Sequence, residues 1–229
     1  MLKKVKNYFT KGELLLLLFS LTLIVFSFIL FKSENYLTLA ASVVGAVSLL
    51  LNAKGNPLGQ LLTVIFSLMY GVISWSFSYY GEMITYLGMT APMALFALIS
   101  WLRNPYNGNR SEVTVNRLKG REYVFMTVIT MAVIVLFYFI LEYFNTANLI
   151  PSTISVATSF AAVYLTFRRS QYFAVAYATN DVVLIILWTM ASLSDASYIS
   201  VVVCFAMFLI NDIYGFINWN KMYRRQKRS

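Results

Sequence analysis

Eight long, mostly apolar runs dominate this chain: 14–31, 36–53, 58–79, 82–102, 123–144, 149–167, 171–193 and 196–219. An α-helix needs about 20 such residues to cross the hydrocarbon core of a bilayer, where its backbone must satisfy its own hydrogen bonds. A barrel strand is about half as long and alternates in polarity, which these runs do not, so a β-barrel is excluded. The expectation is an all-α membrane protein of eight transmembrane helices. Charge agrees with it: 12% of the 229 residues are charged, against about 25% in soluble domains.

The segments between the runs fix an orientation. With the N-terminus inside, the inner segments hold Lys3, Lys4, Lys6, Lys11 and Lys54, then Arg103, Arg110, Arg117, Lys119 and Arg121. Arg168, Arg169, Lys221, Arg224, Arg225, Lys227 and Arg228 complete the inner set, and the outer segments hold only Lys32. That bias predicts a multi-pass protein with both termini cytoplasmic. The run 14–31 is longer than the core of a secretory signal and no small-x-small site follows it, so it is expected to remain as the first helix. The net charge of +9 sits in short clusters between apolar runs and forms no basic face, which points away from nucleic acid. There is no histidine and a single cysteine, Cys204. A histidine base, a Ser-His-Asp triad, an internal disulfide and a Cys-rich metal site are therefore out of reach, and no cofactor is expected.

The chain repeats itself weakly. Trp75 and Glu82 recur as Trp188 and Asp195, 113 residues on, and Ile99-x-Trp101-x-Arg103 recurs as Ile217-x-Trp219-x-Lys221, 118 residues on. The second run has a small or polar stripe, Thr38, Ala41, Gly45, Ser48 and Asn52. Its counterpart in the sixth, Ser152, Ser155, Ser159, Ala162 and Thr166, lies 114 residues on. Two parallel three-helix repeats are expected, 36–102 and 149–219. The span 103–148 carries a cytoplasmic loop and a linker helix, which restores the direction of the second triplet. Residues 1–35 hold the N-terminus and a peripheral, lipid-facing first helix, and 220–229 a basic cytoplasmic tail.

Polar side chains at membrane depth turn toward a partner or a cavity. The seventh run carries Tyr177, Asn180 or Asp181, Leu184 and Trp188 on one face, and the eighth carries Asn211, Tyr214 and Asn218 with Asp212, Gly215 and Trp219 beside them. The third has a stripe of Gln60, Thr63, Ser67, Tyr70, Ser74 and Ser78, and the fourth adds Tyr86, Met89 and Met93. Amides, hydroxyls and aromatic rings suit a polar, ring-bearing solute. Structural readings stand beside these. Small stripes let helices approach, Trp101 and Trp219 suit interface anchoring, and Glu82 and Asp195 suit capping. Pro92 should kink the fourth helix and free the carbonyl near Gly88.

Three stretches carry a family resemblance: Asn52-Ala-Lys-Gly55, Tyr80-Gly-Glu-Met83, and the longer 211–219 run Asn-Asp-Ile-Tyr-Gly-Phe-Ile-Asn-Trp. Over residues 36 to 222 the chain resembles the PnuC-type vitamin transporters. The resemblance implies a 3+1+3 arrangement like that of the SWEET proteins, often assembled as a homo-trimer, with solute bound near the midplane. It also implies facilitated diffusion of nicotinamide riboside across the bacterial inner membrane, drawn on by cytoplasmic phosphorylation. Thiamine, riboflavin or a deoxynucleoside are the alternatives within the family. Trp188 and Tyr177 are then expected to stack on the ring. Asn180, Asn211 and Asn218 would bond carboxamide or ribose, with Tyr214 on the same face. Gln60 and Tyr70 would complete the site, and Asp181 and Asp212 would supply negative potential or hold helices in register. A membrane-embedded metal-dependent lipid enzyme using the two aspartates, and a small-solute channel, are readings of other classes.

Overall fold

The structure, a computed structural model, describes residues 8–31, 35–76, 80–146 and 148–228. Among these residues eight helices are long and apolar enough to cross a membrane. They are α1 (Lys11–Leu30), α2 (Tyr36–Ala53), α3 (Pro57–Ser76), α4 (Tyr80–Leu102), α5 (Gly120–Tyr143), α6 (Leu149–Phe167), α7 (Phe173–Ser192) and α8 (Ile199–Arg228). A 3-10 turn, Ala196–Tyr198, leads into α8, and the Asp195 side chain caps it by accepting from the Ser197 N–H at 2.8 Å. The end of the third expected run, with Ser78, lies at 77–79, outside the described residues, as do Lys3, Lys4, Lys6 and Lys32.

Six of the helices form a closed ring. α2 packs on α3, α3 on α4, α4 on α6, α6 on α7, α7 on α8, and α8 returns to α2. The other two lie outside it. α1 covers the seam between α8 and α2, and α5 packs on α6 and the first turns of α4. Only Phe137 and Leu141 of α5 are buried, so this apolar helix faces its surroundings almost all round. α1 is peripheral too, but it is not uniformly lipid-facing as its composition predicts. Glu13, Ser20 and Ser27 are buried along one edge. Their seven-residue spacing is close to two helical turns, which lines them up on the seam.

Close approach at α2 and α3 depends on Gly59, where a Cβ would stand 2.2 Å from Asn52 Oδ1 and 2.6 Å from the Asn52 nitrogen. In α4, Pro92 lacks the N–H that Gly88 would receive. The helix answers with a π-helical segment, Tyr86–Thr90. The Ala91 N–H reaches back five residues to the Tyr86 carbonyl, and the Thr90 hydroxyl to that of Thr85 at 3.3 Å. The expected kink is thus a π-bulge, a distortion common at functional positions.

The connector after α4 forms a hairpin that was not expected, Pro105–Tyr106 against Asn109–Val113. Its signal was the Asn107-Gly108 pair, whose positive φ values of 48° and 76° suit a tight turn. The basic tail also departs from expectation, because α8 continues through it to Arg228. No breaker interrupts 220–228. Gln226 bonds Glu112, the Val113 carbonyl and the Val115 N–H, and Arg225 pairs with Glu112, so the tail is pinned to the hairpin.

Trp101 and Trp219 are not interfacial anchors. Both are wholly buried, with ring centroids 5.4 Å apart. The Trp101 indole donates to the Thr166 carbonyl at 2.9 Å and that of Trp219 to the Asn52 carbonyl at 2.8 Å. Each ring therefore adds an indole donor to a carbonyl in the last turn of a neighbouring helix, α6 or α2, which also accepts from the backbone N–H of Arg169 or Gly55. Ion pairs at the same end follow the same order. Glu13, in the first turn of α1, meets Lys54 after α2 at 2.9 Å, and Glu122, in the first turn of α5, meets Arg168 after α6. Trp75 and Trp188 do not match in this way: Trp75 is 63% exposed and Trp188 wholly buried.

Candidate functional site

The ring encloses a cavity of about 50 Å³ near the midpoints of its helices. All six ring helices line it, and α1 and α5 do not. From α2 come Gly45, Ser48, Leu49 and Asn52, and from α3 Thr63 and Phe66. The π-helical turn of α4 delivers Tyr86 and Thr90. Ser159 enters from α6, Tyr177, Asn180 and Asp181 from α7, and Phe205, Phe208 and Asp212 from α8.

The polar groups are held in two sets. Asn52 donates to the Thr63 hydroxyl at 3.1 Å and accepts from Gln60 Nε2 at 2.8 Å, while Ser48 and Thr63 share a hydrogen bond at 3.3 Å. Opposite them, Asn180 Oδ1 accepts from the hydroxyls of Thr158 at 2.8 Å, Ser159 at 3.0 Å and Ser155 at 3.4 Å. These bonds occupy the amide's acceptor and leave its two N–H donors for the cavity. The carboxyls of Asp181 and Asp212 adjoin each other, both almost fully buried. Among the described residues Asp181 Oδ2 has no hydrogen-bond partner, and no lysine or arginine lines the cavity.

Aromatic layers stand at both ends. Away from the termini, Tyr70 packs at 4.4 Å from Tyr86, 5.9 Å from Phe205 and 6.3 Å from Trp188 between ring centroids. Toward the termini stand Trp101 and Trp219, with Phe173 at 4.8 Å from the latter. By usual packing measures a water needs at least about 10–15 Å³ of such space. The cavity in this conformation therefore has room for a few waters at most, with an aromatic layer at either end.

Of the ten expected site residues, four reach the wall: Tyr177, Asn180, Asp181 and Asp212. Trp188 and Tyr70 stand one layer behind Tyr86, in the plug remote from the termini. Gln60 acts on Asn52 rather than on the cavity. The face carrying Asn211, Tyr214 and Asn218 requires a correction, because α8 turns it outward. Asn211 donates to Ser20 of α1 at 3.0 Å and to the Met207 carbonyl at 2.8 Å. The Tyr214 hydroxyl donates to Glu13 at 2.7 Å, and Asn218 to the Ala53 carbonyl at 2.7 Å. These side chains bind α1 and the end of α2. The physical reason is the buried polar edge of α1, which needs partners in an apolar setting.

Sequence reasoning passed over several wall residues. Gly45, Ser48, Asn52 and Ser159 stood in stripes that read equally well as helix contacts. Phe66 was detectable only by its place three residues after Thr63 and four before Tyr70 on one face. Phe205 and Phe208 sat among other apolar residues with nothing to mark them.

Comparison with known proteins adds to this geometry. A family model described as "Nicotinamide mononucleotide transporter" matches residues 35–221. The nicotinamide riboside transporter PnuC of Neisseria mucosa is 23% identical over 199 residues, 85% of this chain and 76% of that protein. Its Haemophilus influenzae namesake is 22% identical over 193 residues, 84% of this chain and 82% of that protein. A crystal structure of the vitamin B3 transporter PnuC superposes with a TM-score of 0.83 at 23% identity, covering 95% of this chain and 94% of that one.

Proposed function

The chain belongs to the nicotinamide mononucleotide transporter family, and from that premise we propose that it carries nicotinamide riboside, a nucleoside with a cationic ring, by facilitated diffusion. It is a multi-pass membrane transporter and not an enzyme. The observation that carries the solute assignment is the cavity wall: two adjoining carboxyls and an amide, faced by aromatic rings, with no lysine or arginine lining it. A cationic ring beside the pair favours ionisation of one of its carboxyls, which a neutral ring does not, and the faces of Tyr86 and Tyr177 add cation–π attraction. The N–H donors of Asn180 suit a carboxamide oxygen or a ribose hydroxyl. Namesakes carrying nicotinamide riboside in two organisms support the same solute.

Transport requires the ring of helices to part, because the cavity is far smaller than a nucleoside. The two aromatic plugs are the gates in this reading, with Tyr70, Tyr86 and Trp188 at one end and Trp101, Phe173 and Trp219 at the other. α2–α4 and α6–α8 act as duplicated halves of a 3+1+3 frame. The paired indole bonds of Trp101 and Trp219 and the paired Glu13–Lys54 and Glu122–Arg168 contacts support that duplication. The described lysines and arginines all fall at the end bearing the termini, which supports an inner-membrane protein with both termini in the cytoplasm. Phosphorylation of the vitamin there would keep uptake running without ion coupling.

Calorimetric titration of the purified chain with nicotinamide riboside, thiamine, riboflavin and deoxynucleosides tests the solute. Nicotinamide riboside should bind at least tenfold tighter than the neutral compounds, and Asn180→Ala should weaken it about tenfold, the worth of one good polar contact of about 1.4 kcal/mol. Equal binding of a neutral nucleoside would overturn the assignment, and tighter binding of thiamine would reassign the solute among cationic vitamins.

A further inference from the structure

A second recess lies at the end bearing the termini, well away from the midplane cavity. It is a cleft of about 420 Å³ between the segment before α5, the turn from α6 to α7, and the last turns of α8. Arg117 and Lys227 line it, with Tyr123, Tyr172 and Tyr223. Among the described residues neither cation is in an ion pair. The starts of α5 and α7 also border it, and helix N-termini carry partial positive charge. Behind it, Asn116 holds the backbone of the α6–α7 turn, donating to the Arg168 and Arg169 carbonyls at 3.1 and 2.9 Å. Arg168 is neutralised by Glu122, but Arg169 has no such partner among the described residues. Burial, with the charge of Arg168 beside it, holds the Arg169 guanidinium below the usual arginine range. The recess is a place of surplus positive charge that the protein itself does not neutralise.

We propose that this cleft is a binding site for the phosphate group of an anionic phospholipid, held by Arg117 and Lys227. Tyrosines gather where a membrane protein meets the headgroup layer, and three of them line the cleft. Basic pockets between helices at the cytoplasmic surface suit anionic headgroups, whose phosphate takes charge-assisted hydrogen bonds. The Gln171 side chain lines the same cleft, and its carbonyl oxygen is buried without a hydrogen-bond partner among the described residues. It is an acceptor, which a glycerol headgroup hydroxyl satisfies and a choline headgroup does not. Phosphatidylglycerol, with its anionic phosphate and free glycerol hydroxyls, meets both demands. The inference does not depend on which solute the midplane cavity takes.

Thermal unfolding of the full chain in neutral detergent tests it, with short-chain phosphatidylglycerol, short-chain phosphatidylcholine or inorganic phosphate added. Phosphatidylglycerol should protect at a tenfold lower concentration than phosphatidylcholine. Arg117→Gln with Lys227→Gln should raise the phosphatidylglycerol concentration needed at least fivefold. Lys221→Gln with Arg224→Gln removes the same charge outside the cleft and should leave that concentration within twofold. If the first pair prevents assembly, the single changes carry the comparison, and the ratio of the two lipids on the natural chain decides by itself. Equal protection by both lipids, or equal loss in both variants, overturns the site. Protection by inorganic phosphate that is lost with Arg117 and Lys227 keeps a phosphate site and overturns the lipid as its source.

Discussion

Gly45 offers a way to separate a solute cavity from a mere gap between helices. A Cβ built there meets Phe208 Cζ at 2.3 Å, Phe208 Cε2 at 3.1 Å and Phe66 Cδ2 at 3.2 Å. All three atoms belong to ring edges that line the cavity, and none to backbone. In Gly45→Ala the Phe208 ring must therefore swing, and the open space beside it is the cavity of about 50 Å³. In the unliganded protein that slack absorbs most of the strain. With solute bound the slack is gone, so the overpacking cost of about 1–3 kcal/mol falls on the complex. Affinity should drop roughly 5–150-fold, since about 1.4 kcal/mol is tenfold, while the unfolding midpoint moves little. Calorimetric titration and thermal unfolding on the same preparation read both quantities. Gly59→Ala is the contrast. Its Cβ meets the Asn52 backbone nitrogen at 2.6 Å, which cannot swing aside, so loss of assembly is expected there. A folded Gly45→Ala protein binding nicotinamide riboside within twofold of the natural chain would refute the placement of solute in this cavity.

Two further outcomes follow from the charges. Asp181→Asn together with Asp212→Asn should weaken binding of the cationic nucleoside roughly 10–100-fold, because a unit charge at about 5 Å in a medium of effective dielectric about 20 is worth about 3 kcal/mol before desolvation. The neutral, reduced form of the same nucleoside should be affected less than threefold, and equal losses by calorimetry would assign the pair to helix register instead. The two Glu–cation contacts should differ in worth. Glu13 is 3% and Lys54 15% exposed, whereas Glu122 and Arg168 are 27% and 36% exposed. Removing one partner of a buried pair costs about 3–5 kcal/mol and of a surface pair about 0–1 kcal/mol. Glu13→Gln should accordingly lower the unfolding midpoint far more than Glu122→Gln. Equal shifts would mean that burial at α1 is not what matters.

The spans were legible because the demand they answer is crude: about 20 apolar residues per crossing, with cations left at one side. Pro92 announced a distortion of α4, and Trp101 and Trp219, matched in the sequence, make like indole bonds to helix-end carbonyls. The environments of those residues were less legible. Tryptophan beside arginine at a helix end reads as an interface anchor whenever the helix end faces lipid, and only the packing of α4 on α6 and of α8 on α2 reveals that these two rings meet instead. The face carrying Asn211 illustrates the same limit. Its polarity correctly signalled a partner, but a polar face on one helix does not say whether the partner is a solute or another helix. Here the answer lay about 190 residues away in sequence, at Ser20. Phe66 and Phe208 were unreadable because an aromatic residue in an apolar run has the same composition whether it faces lipid, core or cavity.

The proposed duplication also accounts for what differs between the halves. Gly45 and Phe66 of the first triplet correspond, at the same spacing of 114, to Ser159 and Asn180 of the second. Both pairs are in contact at the cavity. One is a glycine beneath a phenylalanine ring, the other a serine bonded to an amide at 3.0 Å. The elements that brace the frame keep their chemistry: both indoles donate to a helix-end carbonyl, and both glutamates meet a cation. Divergence falls where the two halves face the cavity. A symmetric lining would offer an asymmetric molecule two equivalent poses, each half matched. A phenylalanine ring at one point and a donor amide at the equivalent point across the cavity favour a single pose, with a flat ring toward Phe66 and the polar end toward Asn180. Exchanging the two pairs, with Gly45→Ser and Phe66→Asn in one half and Ser159→Gly and Asn180→Phe in the other, preserves the composition of the cavity and should reverse that pose. A solute with a bulky group on its carboxamide would then lose affinity at the opposite wall. If the exchanged protein folds and ranks such analogues as the natural chain does, the two walls do not set the pose.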